Sequence, residues 1–220
     1  MKYALVNGER REPVTGAHGR CTACGGLTVA KCGQTKIHHW AHKSKLECDR
    51  WWENENEWHR EWKNRFPVGW QEVVQRSDSG EFHRADVKTE NGWVLEFQYS
   101  AIASEERLAR IGFYEKLVWV VHGSRRKKDP AQFFGSLKAV KLVEDSLFRR
   151  ACDVVGDKSS LVREWCNEKA PVFVDFGEPE VLWCLLPCPA ERRPVVVEVL
   201  RERFVELLLA RSALSAVVRS

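Results

Sequence analysis

Cys21 and Cys24 are separated by Thr-Ala and followed by Gly25-Gly26. Two thiols at this spacing can give one ion two ligands from a turn kept open by glycine. His38, His39, His42 and Cys48 follow within the next stretch of chain, which brings a tetrahedral nitrogen and sulfur set for zinc within reach. Cys21 and Cys24 are the firm pair, and the other two ligands come from His39, His42 and Cys48. Strand alternation puts His39 and His42 on opposite faces unless the strand stops at Trp40, so the choice among the three stays open. A turn-rich segment with so little apolar content also needs a metal to fold. Cys32 reads as packing, and Cys152, Cys166, Cys184 and Cys188 show no metal spacing and read as core.

Acidic residues form a second constellation. If Glu90-Asn91-Gly92 is a three-residue hairpin loop with its glycine left-handed, Thr89 pairs with Trp93 and Asp86 falls opposite Glu96. Asp86, Lys88, Glu96 and Gln98 then share one sheet face, and Ala85, Val87, Leu95, Phe97 and Tyr99 share the core face. Two carboxylates facing each other at about 5 Å repel, and a divalent cation between them removes that cost. Upstream, Glu55, His59 and Lys63 recur every four residues, one stripe of a helix that leads into this sheet. The bland alternative is a solvated Glu–His–Lys ladder. Glu53, Glu57 and Glu61 lie on other faces and read as solubilising charge. His59-Arg60-Glu61 matches the H-x-E element of zinc deaminases, but their downstream P-C-x-x-C is missing, so the match is accidental.

These residues need elements to hold them. LTVAKCGQTKIHHWAH predicts a hairpin turning near Gly33-Gln34. WWENENEWHREWKNRF predicts a helix that stops at Pro67. Strands are expected at 70–76, 82–89 and 93–100, a helix capped by Ser104 at 104–116, and a buried strand at 117–122. The order is α-β-β-β-α-β. A basic loop follows at Arg125-Arg126-Lys127-Lys128. The tail predicts a helix over 131–155, a strand over 171–177, an apolar run at 181–187 and a closing helix over 194–211.

Composition sets the outer limits. The chain has 220 residues, 44% of them hydrophobic, with ten tryptophans, enough for a real core. Trp51, Trp52, Trp58 and Trp62 read as core, or as a face that docks a partner. A net charge of +4 permits nucleic acid without requiring it. No apolar stretch is long enough for a membrane span or a secretory leader, which predicts a cytoplasmic protein whose eight cysteines are thiols or metal ligands.

In combination, CTACGG, HHWAHKSKLECDRWWENENEWHREWKNRFP, HRADV and VLEFQYS resemble the competence protein CoiA-like family of predicted nucleases, over roughly residues 20–135. The tail segment PVFVDFGEPEVLWCLLP is similar to longer members. The elements make a mixed α/β chain with a zinc-binding module (1–50) and a C-terminal α+β extension (126–220), and the resemblance implies a PD-(D/E)xK restriction-endonuclease-like core (51–125) between them. It implies a Mg²⁺ or Mn²⁺ site acting on DNA. Carried over by position, Glu55 and His59 match the helix motif, Asp86 the strand acid, and Glu96 with Gln98 the E-x-K element. Gln98 stands where the wider superfamily has lysine; it can bond a water but brings no charge, and Lys63 or Lys88 could supply it. Asn56 stands where a small hydroxyl residue is expected. The expected function is metal-dependent hydrolysis of DNA in uptake, recombination or defence, with possible protein partners in a DNA-processing complex. The alternative is a non-catalytic zinc-containing DNA-binding factor on the same fold.

Overall fold

A computed structural model describes residues 1–44, 48–142, 148–155, 158–166, 169–186 and 194–210. The chain is mixed α/β and forms two compact units, Met1–Lys88 and Thr89–Ser220.

In the first unit, β1 (Ala4–Val6), β2 (Glu9–Arg11), β3 (His18–Arg20), β4 (Leu27–Lys31) and β5 (His39–His42) form an antiparallel sheet in the order β2-β1-β3-β4-β5. The hairpin expected between β4 and β5 is present, with Thr28 opposite His42 and Lys31 opposite His39. This sheet encloses little: Met1, Ala4, Cys21, Ala23 and Trp40 are the buried residues of its core.

Helix α1 spans only Glu57–Asn64, so the helix expected from Trp51 is corrected at its start. The cause is Asn56. It sits in extended backbone and its side-chain oxygen accepts the His59 N–H at 3.1 Å, while the His59 ring accepts the Asn56 N–H at 3.4 Å. That reciprocal cap starts a helix and leaves Glu55 outside it. The end is as expected, with Arg65 as C-cap two residues before Pro67. A 3-10 turn (Val68–Trp70) leads into the antiparallel pair β6 (Gln71–Arg76) and β7 (Phe82–Lys88). Burial alternates along β7, with His83, Ala85 and Val87 inward.

In the second unit, β8 (Val94–Gln98), α2 (Ser104–Phe113) and β9 (Leu117–His122) make a parallel strand–helix–strand unit. Glu90-Asn91-Gly92 does form a tight loop: Thr89 N–H bonds the Trp93 carbonyl at 2.8 Å and Gly92 takes φ 80°. Ser104 is the first helical residue, and Ala103 holds the N-cap position without a side-chain bond, which corrects the expected Ser104 cap.

The tail departs most from expectation. The helix expected over 131–155 is α3 (Asp129–Ser136) followed by the antiparallel strands β10 (Leu137–Leu142) and β11 (Phe148–Val154). In β11 Cys152 and Val154 are buried while Ala151 and Asp153 between them are only half-buried, an alternation that suits a strand and not a helix. The expected closing helix is half strand: β14 (Val195–Leu200) precedes α5 (Arg201–Leu209), because a run of β-branched valines favours pleated backbone. After α4 (Ser160–Trp165), β12 (Val172–Asp175) and β13 (Val181–Leu185) lie within the expected segments. Among the described residues the strands of this unit run β10-β11-β14-β13-β12-β9-β8. Cys152 and Cys184 are buried as expected, Cys166 is half-buried, and Cys188 lies outside the described residues. No helix among the described residues is long and apolar enough to cross a membrane.

Gly123, just after β9, shows how closely this unit packs. A Cβ there would meet Phe176 at 2.5 Å and Val174 at 2.8 Å, while its N–H bonds the Asp175 carbonyl at 2.7 Å. Gly123→Ala is therefore expected to destabilise by about 1–3 kcal/mol. A lowered urea midpoint at unchanged slope would show this; an unchanged midpoint would mean that the Phe176 ring can turn aside.

Candidate functional site

The thiol constellation closes on itself. Cys21, Cys24, His42 and Cys48 bring one ligand atom each to within 4.8 Å of one another, a Cys3His set that could hold a zinc ion. Cys24 Sγ lies 3.3 Å from His42 Nε2, and Cys21 Sγ lies 3.6 Å from Cys48 Sγ. The knuckle is built by Cys21 N–H to the Gly26 carbonyl at 2.8 Å and Gly25 N–H to the Cys21 carbonyl at 3.0 Å, with Gly25 left-handed at φ 71°. Two backbone N–H groups point at sulfur: Ala23 to Cys21 and Gly26 to Cys24, both at 3.4 Å. Such donors stabilise thiolates and are the usual outer support of a metal site. Hydrogen bonding with Cys48 lowers the Cys21 thiol, with the knuckle amides and Arg84 adding to this against burial, and the same shared proton raises Cys48.

Of the five candidate ligands, His39 is the one outside the set. Its Nδ1 bonds the Ile37 carbonyl at 2.9 Å. β5 runs through to His42, so alternation holds and the two histidines part company as the strand geometry requires.

A second centre surrounds Lys63 on α1. Its ammonium is buried and lies 3.1 Å from Glu55, 3.2 Å from Glu72 and 3.1 Å from Asp86. Glu55 reaches it from the segment before α1 rather than from the helix, and Arg60 also grips that carboxylate at 2.9 Å. Glu72 was not legible as a site residue. The β6–β7 register pairs Gln71 with Val87 and Val73 with Ala85, which places Glu72 opposite Asp86. Applying the same cross-strand count to this hairpin would have found it. The facing acids are real here, and the cation between them is Lys63.

Glu72 adopts φ 48°, unusual for a side chain other than glycine. Its carboxylate accepts the backbone N–H groups of Lys2 at 2.8 Å and Tyr3 at 3.1 Å, which hold that conformation. Burial opposes charge on Glu72 and Glu55, yet Lys63 outweighs it and both carboxyls sit below their ordinary range. Burial likewise opposes charge on Lys63, and Asp86 with the two glutamates raises it.

The remaining expected residues are engaged elsewhere. His59 is bound into the helix cap and its Nε2 lies 3.4 Å from Glu53, so Glu53 is more than solubilising charge. Glu57 and Glu61 are exposed, as expected. In the second unit, Glu96 is buried against Arg110 of α2 at 2.6 Å, and Gln98 donates to the Ser100 carbonyl at 3.1 Å. Lys88 bonds Gln75. In the basic loop Arg125 and Arg126 both pair with Glu164, leaving Lys127 and Lys128 exposed.

Scans of protein-family models, curated proteins and solved structures find no match to this chain. The resemblance noted above therefore rests on its motifs alone.

Two expectations follow. Protein purified without chelator should carry about one zinc per chain, lost in Cys24→Ser and His42→Ala and kept in His39→Ala. Elemental analysis with the two histidine results exchanged would reverse the ligand assignment. The Lys63 cluster should also be visible against pH. The lowered carboxyl of Glu72 contributes stability that is full above the unfolded value near ~4.3 and is lost as pH falls toward the folded one. Lys63→Met leaves buried carboxylates unpaired, costs about 3–5 kcal/mol and inverts the trend, so that melting temperature rises as the solution is acidified from neutrality. A variant that melts in parallel with the wild type across this range would refute that role for Lys63.

Proposed function

We propose that this chain is a Mg²⁺- or Mn²⁺-dependent nuclease that hydrolyses DNA phosphodiester bonds, with Asp86 and Lys63 at the centre of the reaction. One observation carries the reading: the Lys63 ammonium lies 3.1 Å from Asp86 and is anchored from behind by Glu55 and Glu72. An acid beside a fixed lysine is the pairing that the E-x-Q departure at Gln98 had left without a positive charge. Lys88, the other candidate, is turned to Gln75.

One carboxylate of this cluster stays accessible to a divalent ion. Asp86 keeps 22% of its side chain open, whereas Glu55 and Glu72 keep 6% and 3%. Asp86 would hold the ion, completed by water. When bound, the ion would polarise the phosphoryl oxygen and lower the pKa of attacking water. Lys63 supplies a preorganised charge for the oxygens that become more negative as water adds to phosphorus and the P–O ester bond breaks. Glu55 and Glu72 keep that ammonium charged and in place. Glu96 and Gln98 enter this reading through the sequence pattern alone. The resemblance to the CoiA-like family and the possible zinc module support DNA as substrate.

A second reading has its own observation. Lys63 neutralises the acids around it, and Arg110 neutralises Glu96, which is what a non-catalytic DNA-binding factor on an inherited scaffold would show.

Cleavage separates the two. Asp86→Asn is expected to abolish Mg²⁺- and Mn²⁺-dependent hydrolysis of single-stranded, duplex or branched DNA, a loss of at least about 100-fold, with the fold retained. Glu57→Gln, on the exposed face of α1, should cut like the wild type. If Asp86→Asn still cuts, or the wild type cuts nothing with either metal, the enzymatic reading is lost.

A further inference from the structure

We infer that a cavity beside the Cys3His cluster binds one unpaired nucleotide of single-stranded DNA, with Trp52 stacking the base and Arg50 holding the phosphate. The cavity has a volume of ≈ 500 Å³ and its wall includes His39, His42, Cys48, Arg50, Trp52 and Arg84, all in the first unit. That volume lies in the range of roughly 300–1,000 Å³ usual for small organic ligands.

Adjacent tryptophans show which wall residue lacks a structural explanation. Trp51 turns inward and stacks on His83, with ring centroids 3.2 Å apart and planes inclined by 11°. Trp52 turns outward and stays 55% exposed at the cavity. An exposed indole offers a flat apolar face on which an unpaired base can stack.

Arg50 is the exposed charge in the wall. Asp49 is the acid in the wall, and its carboxylate is consumed by His83 Nδ1 at 2.7 Å and by the backbone N–H groups of Arg84 at 2.9 Å and Trp51 at 3.0 Å. Arg84 is directed to Cys21 Sγ at 3.5 Å. Arg50 is exposed, and among the described residues no carboxylate pairs with it. An arginine two residues from an exposed indole, at the mouth of a pocket of nucleotide size, selects an anionic ligand with a flat aromatic part.

Size then selects the strand state. Such a cavity admits one nucleotide and not a double helix, and a base offers its face only when it is unstacked and unpaired. DNA rather than another nucleotide-bearing ligand rests on the function proposed above; the cavity and its residues do not.

The test uses the full chain as purified, in buffer free of Mg²⁺ and chelator, with fluorescein-labelled oligothymidylate and a labelled duplex followed by anisotropy. The single strand should bind more tightly than the duplex. Trp52→Ala should weaken single-strand binding roughly tenfold while Trp52→Phe retains most of it. Arg50→Gln should weaken it too and reduce the slope of log affinity against log salt by about 0.7. Unchanged zinc content would verify that both variants keep the module intact. Equal affinity for the two forms of DNA, no binding of single strands, or single-strand binding that neither variant alters would overturn the inference. If single strands bind through Trp52 while neither metal yields product, the cavity stands and the nuclease reading falls. If DNA is cut and Trp52→Ala changes nothing, the outcome is the reverse.

Discussion

A buried ammonium without partners would shed its proton or unfold its surroundings, so the first unit is organised around keeping Lys63 charged. Three carboxylates meet it from three different parts of the chain: Glu55 before α1, Glu72 on β6 and Asp86 on β7. The helix and the strand pair are thereby tied through one ammonium, and the start of the chain joins them through Glu72, which also accepts the amides of Lys2 and Tyr3. The left-handed backbone at Glu72 costs on the order of 1–3 kcal/mol, which these bonds must offset. Trp62, Phe66, Ala85 and Val87 are buried in the same unit, and the charges and hydrogen bonds fix the geometry within that apolar setting.

β7 links this centre to the thiol cluster. Its outward face carries Arg84, Asp86 and Lys88 at alternate positions, and each side chain has a different partner. Arg84 meets Cys21, Asp86 meets Lys63 and Lys88 meets Gln75. Arg84 feels both groups of negative charge, for Glu72, Cys21, Cys48 and Asp49 all raise it against the desolvation that burial imposes. A zinc ion held by three thiolates and one imidazole would keep net negative charge, and Arg84, beside Cys21, would be the cation placed to balance it.

Much of this was legible in the residues, and the rest failed for identifiable reasons. The knuckle, the hairpin to His42 and the loop at 90–92 follow from short-range rules in which glycine position and spacing decide the geometry. Helical periodicity alone placed Glu55 on α1; the cap formed by Asn56 and His59 overrides it, because local bonds of asparagine compete with helical backbone. Glu72 stayed hidden because its register was read on one side of β7 only. The long helix expected in the tail dissolved into strands whose alternation is weak in the sequence, with charged residues on the outward face and cysteine among the inward ones.

The bond from the Lys2 amide to Glu72 joins residues 70 positions apart. A chain emerging from a ribosome at about 5–20 residues per second needs roughly 4–14 s to deliver the second partner after the first. During that interval the amides of Lys2 and Tyr3 have no carboxylate to receive them, and Lys63, once it emerges, has only Glu55 of its three acids until Glu72 follows. The Cys21–Cys24 knuckle and the β4–β5 hairpin are by then already outside, so the thiol module can take shape while the Lys63 centre still waits for β6 and β7. Birth order thus separates two centres that the finished strand holds side by side.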